Sequence, residues 1–285
     1  MARAIYYMGP VTFLAIAIGC SRESPLPPPA RPIELPPVVE FSAPKKPTAS
    51  EPKAALILAE SLKAHTGGKV ERLERLKSCS FTRTGIQETG VPGGIATTWA
   101  IDLVWPDRYH MRTKLEQNGV IQSLSFGTQP KPWRFPSQIP TSNPQDTQPL
   151  DEMSVLCMRS QHMEDSFVLI FPLADPRTIV ASAGTFQIGP DTADGLHVWS
   201  PALEYALVYI DQKTHLMKQF TYRGMELGNP DSVIKTLSFA KHEAFQDILL
   251  PVEMDLSLPS RKLGRWNKFT IEPGKTFDPT VFEKP

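Results

Sequence analysis

Thr98-Trp99-Ala100-Ile101-Asp102-Leu103-Val104-Trp105, then Pro106-Asp107, then Arg108-Tyr109-His110-Met111-Arg112-Thr113-Lys114-Leu115, alternates large apolar side chains with small or polar ones. A period of two belongs to strands, whose successive side chains point to opposite faces. Trp99, Ile101, Leu103 and Trp105 share one face, and Tyr109, Met111 and Leu115 continue it beyond the Pro-Asp turn. Asn118-Gly119, a strong hairpin signal, leads into a third strand over residues 120–126. These segments predict three antiparallel strands with one apolar and one wet face.

The last third repeats the pattern. Strands are predicted over residues 186–188, 196–199, 205–211, 216–222, 233–245, 252–258 and 266–271, with Asp194-Gly195 and Gln212-Lys213-Thr214 as turns. Val252, Met254, Leu256 and Leu258 alternate with Glu253, Asp255 and Ser257. Upstream, Ala55, Leu58, Ala59 and Leu62 recur at helical spacing, with Pro52 suited to the first turn and Gly67-Gly68 to the stop. A short helix or turn follows near residues 70–76, a helix is predicted from about residue 149 to 162, and a short apolar one near 167–173. Residues 128–149, rich in proline, read as a long loop. The fold class is mainly β with some helix (α+β): a strongly curved antiparallel sheet of about ten strands forming a half-open β-barrel, with a few helices on its concave side.

The N-terminus differs in kind. Arg3 precedes a short apolar stretch that is too short to span a bilayer and has the shape of a secretory signal. It ends Ala17-Ile18-Gly19-Cys20, which resembles the lipobox of bacterial lipoproteins, where the cysteine is lipidated and becomes the new N-terminus. The plainer alternative is an ordinary cleaved signal with an incidental cysteine. Residues 21–52 are dominated by proline, which blocks both helix and sheet propagation. At about 3.1 Å per residue such a spacer reaches up to about 100 Å. A proline-rich ligand for a partner domain is the other reading. The division is therefore 1–19 signal, 20–52 lipidated Cys20 with linker, and 53–285 folded domain. Ser21, in place of an Asp, resembles the signal for outer-membrane sorting and implies attachment there, on the periplasmic face.

Charge is balanced, 30 basic against 30 acidic residues, and the linker's own charges balance too, so no field draws nucleic acid to the chain. Beyond Cys20, Cys79 and Cys157 allow one disulfide in an oxidising compartment, or remain two buried free thiols. There is no GxSxG, HExxH or phosphate-binding glycine loop, and the six histidines show no metal-ligand spacing. No catalytic residue, metal or cofactor is expected.

The order of motifs is similar to the LolA/LolB-like superfamily of periplasmic lipoprotein carriers and acceptors. The residues that carry the resemblance are Trp105 to Arg112, Asp194-Gly195, Asp211 with Thr214, Ile248 to Pro251, and Phe277-Asp278-Pro279-Thr280. It implies a sheet bent around an apolar cavity that holds acyl chains or other amphiphiles, from a lipid or a lipoprotein. Trp99, Ile101, Leu103, Tyr109, Met111, Met254 and Leu256 are the candidate cavity lining, or else simply core. Trp133, Phe135 and Ile139 are the nearest counterpart of an exposed membrane-contacting loop at the cavity mouth. The family's inward arginine maps to Arg108 or Arg112, although alternation puts both on the polar face. An envelope protein that uses the same fold with a filled core, for assembly or sensing through a protein partner, is the alternative.

Overall fold

The computed structural model describes residues 41–88, 92–115, 121–126, 133–137, 148–149, 151–226 and 231–282, which lie within one unit, Pro36–Pro285. Cys20 and Ile139 fall outside the described residues.

Among the described residues, thirteen strands form one antiparallel sheet. They are β1 (Ser78–Gln87), β2 (Ile95–Val104), β3 (Arg108–Leu115), β4 (Ile121–Phe126), β5 (Trp133–Ser137), β6 (Gln148–Pro149), β7 (Ile179–Ile188), β8 (Asp191–Trp199), β9 (Ala206–Asp211), β10 (Met217–Gly224), β11 (Val233–Phe245), β12 (Ile248–Leu258) and β13 (Arg261–Pro273). Their spatial order runs β6 to β1, then β13 back to β7. Each neighbour is therefore the next strand in sequence, except at the β1–β13 seam. The sheet does not close: β6 and β7 are its two edges. Helix α2 (Glu152–Val168) connects those edges, and its contacts with β3 and β10 lay it across the apolar face.

The predicted hairpin of β2 and β3 forms, with Ile101 opposite Met111 and Leu103 opposite Tyr109. Four expectations need correction. First, β1 was not foreseen, and it sits at the seam. Second, residues 128–149, read as loop, contain β5 and β6; Trp133 and Phe135 thus belong to a strand. Third, α2 runs on to Val168 rather than stopping near residue 162, capped at its start by Asp151, whose side chain accepts from Ser154 N at 2.7 Å. Fourth, Asp194-Gly195 is not a turn but lies inside β8. The reason is packing: a Cβ on Gly195 would fall 2.4 Å from the Phe186 ring, which stands edge-on to Tyr209 at 5.1 Å across the glycine. Asp211 is the real turn residue, accepting from Lys213 N and from Thr214 N and Oγ1.

Helix α1 (Pro52–Thr66) ends at Gly67, which takes the left-handed conformation. Its buried face is Ala54, Leu58, Ser61, Leu62 and His65; Ala59 is exposed, so the face is rotated from the expected one. His65 fastens this helix to the sheet. Nδ1 donates to Leu249 O at 2.6 Å, while Nε2 accepts from Met217 N at 3.1 Å, a pattern that only the neutral ring can make. His242 stands edge-on to it at 5.5 Å. A 3-10 helix, Val70–Lys77, leads from α1 into β1.

Two apolar clusters sandwich the sheet. The larger fills the face beneath α1 and α2 and includes Phe81, Trp99, Phe167, Phe220, Met254 and Trp266. The smaller covers the other face of β7–β9 and includes Phe41, whose ring packs on Tyr205 at 5.1 Å. Just after Phe41 the chain skirts the β7 edge: Glu51 N donates to Val180 O at 2.9 Å, and Val180 N donates to Ser50 Oγ at 3.2 Å. Two polar residues thereby occupy an edge that would otherwise be open to pairing.

One glycine fixes the seam. A Cβ at Gly85 would lie 2.0 Å from Arg265 O and 2.6 Å from Trp266 Cα. The register shifts here, with Gly85 opposite Trp266 and Thr84 opposite Lys268, so β13 bulges toward β1 and aims the Trp266 side chain inward. Gly85→Ala should push the two strands apart and lower stability by about 3 kcal/mol or more, at the high end of point-mutation effects. Urea unfolding would show it; a change within 0.5 kcal/mol would mean that the strands do not approach this closely.

Candidate functional site

The inward residues of β1 are Cys79, Phe81 and Arg83, with Ser80, Thr82 and Thr84 turned out. An arginine thus occupies a core position, and its side chain is fully buried. Its guanidinium packs against two neighbouring indoles, 4.2 Å from the Trp99 centroid and 4.7 Å from that of Trp266, the two rings being 5.3 Å apart. At the edge of the guanidinium, Nη1 is 2.9 Å from Asp165 Oδ1 and 3.9 Å from Glu164 Oε1, both on α2 and both fully buried. These are ion-pair distances without hydrogen-bond alignment. None of the three Arg83 nitrogens has an aligned acceptor among the described residues, and neither does the buried Trp99 Nε1.

The carboxylates draw further donors. Tyr109 Oη of β3 donates to Asp165 Oδ2 at 2.5 Å, and Tyr222 Oη of β10 donates to Glu164 Oε2. Gln161 Nε2 donates to Glu164 Oε1 at 2.9 Å, and Lys235 Nζ of β11 stands 3.8 Å from Glu164 Oε2. Burial raises the Asp165 carboxyl to about 6; Arg83 pulls it down and Glu164 adds to the rise. Burial and the same two carboxylates hold the Tyr109 and Tyr222 hydroxyls well above their ordinary values, so both remain protonated donors. His162, one turn earlier on α2, packs against Trp105 and Tyr109, and burial lowers it to about 3.

Most of the candidate lining comes together around this cluster. Trp99, Ile101, Leu103, Tyr109, Met254 and Leu256 are buried in the one large apolar cluster, and Met111 packs partly buried against it. Arg108 and Arg112 are not the inward arginine. Arg112 Nη2 binds Asp102 Oδ2 at 3.0 Å on the opposite face, and Arg108 lies over the Phe282 ring at 6.0 Å. Asp102 is turned outward but well covered. Burial alone would raise it, yet hydrogen bonds from His110 and Ser80 and the charge of Arg112 hold it below the usual range. Cys79 and Cys157 are free thiols, so the disulfide their number allowed is not formed. Cys79 points into the core from β1, where burial raises its thiol, whereas Cys157 is half-buried on the first half of α2, beside the core-facing Met158.

Reading by motif missed Arg83, Glu164, Asp165, Tyr222 and Lys235, five residues from four separate elements. One signal was present: Cys79-x-Phe81-x-Arg83 against Ser80-x-Thr82 is a period-two pattern with a charge in an apolar slot. No group of three or more His, Cys, Asp or Glu that could hold a metal occurs among the described residues. No described helix is long and apolar enough to cross a membrane.

No family model and no curated protein sequence matches the chain. Among solved structures it is similar to a LolA superfamily protein from Nitrosomonas europaea, with 9% identity over 75% of this chain and 96% of that one and a TM-score of 0.48. It is also similar to an outer membrane lipoprotein-sorting protein domain from Vibrio parahaemolyticus, with 13% identity over 81% and 97% and a TM-score of 0.45. A DUF1329 family protein from Desulfovibrio piger matches with 13% identity over 79% and 97% and a TM-score of 0.47. These likenesses span three quarters or more of the chain.

Proposed function

We propose that this chain is a non-catalytic binder of an amphiphile, a lipid or the acyl chains of a lipoprotein, and that α2 is the cover of its site. The observation that carries the reading is the chemistry of that cover. An apolar sheet face is closed by a helix that turns Glu164 and Asp165 inward onto a buried arginine. A permanent lid would be apolar, since hydrophobic replacements of buried ion pairs are often neutral or stabilising. A charged bolt suits a lid that must open. Backbone strain points the same way: Ile170, buried just beyond α2, has φ 57°, a left-handed conformation that costs a β-branched residue about 1–2 kcal/mol. Beneath α2 lie Trp99, Ile101 and Met254, and each acyl methylene buried there would contribute about 0.8 kcal/mol. In this reading Cys20 is lipidated, the stretch between it and the docked Phe41 serves as the tether, and the domain works on the periplasmic face of the outer membrane.

A second reading has an observation of its own. Ile101, Leu103, Tyr109 and Met254 are at most 1% exposed, as in a filled core. A sensing or assembly protein that recognises an envelope partner would look the same when closed. Mass spectrometry of an organic extract decides between them, using protein expressed in a periplasm and purified without detergent. A stoichiometric lipid is expected; a clean protein that also refuses added lipids would leave only the second reading.

A further inference from the structure

The buried cluster is divided by polarity between its two sides. Everything the sheet contributes is a donor: Arg83 from β1, Trp99 Nε1 from β2, Tyr109 from β3, Tyr222 from β10 and Lys235 from β11. The acceptors, Glu164 and Asp165, come from α2, which adds one neutral donor of its own, the Gln161 amide. Two cations and two hydroxyls thus face two carboxylates across the join between sheet and cover. The match is incomplete, because among the described residues every Arg83 nitrogen and Trp99 Nε1 lack an aligned acceptor. A buried guanidinium carries five N–H groups, and leaving them unaligned is costly.

From this division, and resting on the binding role proposed above, we infer that the ligand is an anionic amphiphile whose headgroup replaces Glu164 and Asp165 on Arg83 and Lys235. When α2 leaves, the sheet keeps a cradle of two positive charges in an apolar face. The indoles of Trp99 and Trp266 stand 4.2 and 4.7 Å from the guanidinium carbon and only 5.3 Å from each other, so both lie to one side of it, and the edge that now meets Asp165 is what a carboxylate or phosphate would engage through paired oxygens. The tail then lies where the inner residues of α2 had packed, along Phe81, Ile101 and Met254. The carboxylates of α2 act as built-in competitors: they neutralise the cradle while it is empty and yield to a ligand that supplies both the anion and the apolar surface. A neutral amphiphile would fill the groove yet strand both cations.

Titrating the full chain with oleate and with oleyl alcohol, each below its micelle concentration, separates the parts. Tryptophan fluorescence is a suitable signal, because Trp99 and Trp266 flank the site. Oleate is expected to bind about tenfold or more tightly than the alcohol, the size of one charge-assisted hydrogen bond. The double variant E164Q/D165N, which removes competitors that any ligand must displace, should tighten oleate and oleyl alcohol alike, by about tenfold, and leave the preference for oleate in place; loss of a merely structural contact would not improve binding. Lys235→Met, milder than any change at Arg83, should reduce the preference for oleate. Preferential binding of lysophosphatidate over oleate supports the same cradle with phosphate as its anion. Equal binding of oleate and oleyl alcohol by the native chain would overturn the anionic inference and leave the amphiphile reading standing. Failure of all three to bind would overturn both.

Discussion

Arg83→Met should lower stability by about 3–5 kcal/mol, the usual cost of removing one partner from a buried ion pair. Most of that cost lies in what remains. Glu164 and Asp165 would stay side by side without their main counter-charge, keeping only Lys235, Gln161 and the two tyrosine hydroxyls. The two indoles would also lose the cation packed against them. Urea unfolding measures the total, and amide exchange should show α2 opening first. Two comparisons give the result meaning. R83M/E164Q/D165N, which leaves no charge stranded on α2, should recover much of the loss. Arg112→Met should cost no more than about 1 kcal/mol, because that side chain is 49% exposed and its ion pair is screened. A loss at Arg83 as small as that at Arg112 would contradict the cluster as described.

Acidification should be the second large effect. His65, His162 and His242 are lowered to about 4, 3 and 4, chiefly by burial, with His65 and His242 also repelling each other. The unfolded chain therefore binds more protons at these rings than the folded chain does, and their contribution, complete above pH 6.5, is lost as pH falls toward 4. Asp165 works in the opposite direction. Its folded value near 6 lies above the unfolded one, so folding gains there as pH drops from 6 to about 4. Three depressed histidines outweigh one raised carboxyl. At about 1.4 kcal/mol per pKa unit, the net loss between pH 6.5 and 4.5 is on the order of 5 kcal/mol. His65 localises part of it, because a proton on Nε2 removes the acceptor that Met217 N uses and frees the end of α1. Thermal melting at pH 7, 5.5 and 4.5 tests this; an unchanged midpoint across the series would mean that the rings are not buried as neutral groups.

The sheet was legible in the sequence wherever one face is wet. β2, β3 and β12 alternate cleanly because Trp99, Ile101, Leu103, Met254 and Leu256 face the core while their neighbours meet water or the opposite face. β9 reads as a continuous apolar run because both of its faces are covered, one by the main cluster and the other by the group containing Phe41 and Tyr209. β1 escaped because its inward series contains an arginine, and hydropathy has no means of marking a charge whose partners lie on a helix more than 80 residues away. The same long separation hid the cluster as a whole. Its members come from β1, β3, α2, β10 and β11, and only the folded connection between the sheet's two edges brings them together. The inward placement of Trp99, Ile101, Leu103, Tyr109, Met254 and Leu256, by contrast, followed from alternation alone, since it asks only which face a residue takes.

The β1–β13 seam also sets the order of assembly. Every other pairing joins consecutive strands and can zip locally as soon as its hairpin exists, at a small entropic cost for closing a short loop. The seam joins Cys79 to Pro273 and must wait for nearly the whole chain. Two meanders therefore mature first, β1–β6 and β7–β13, and their docking is the slow, high-contact-order step. Because Arg83 and Trp99 sit on one meander and Tyr222, Lys235 and Trp266 on the other, the donor cradle does not exist in either half. It is created when the first strand meets the last.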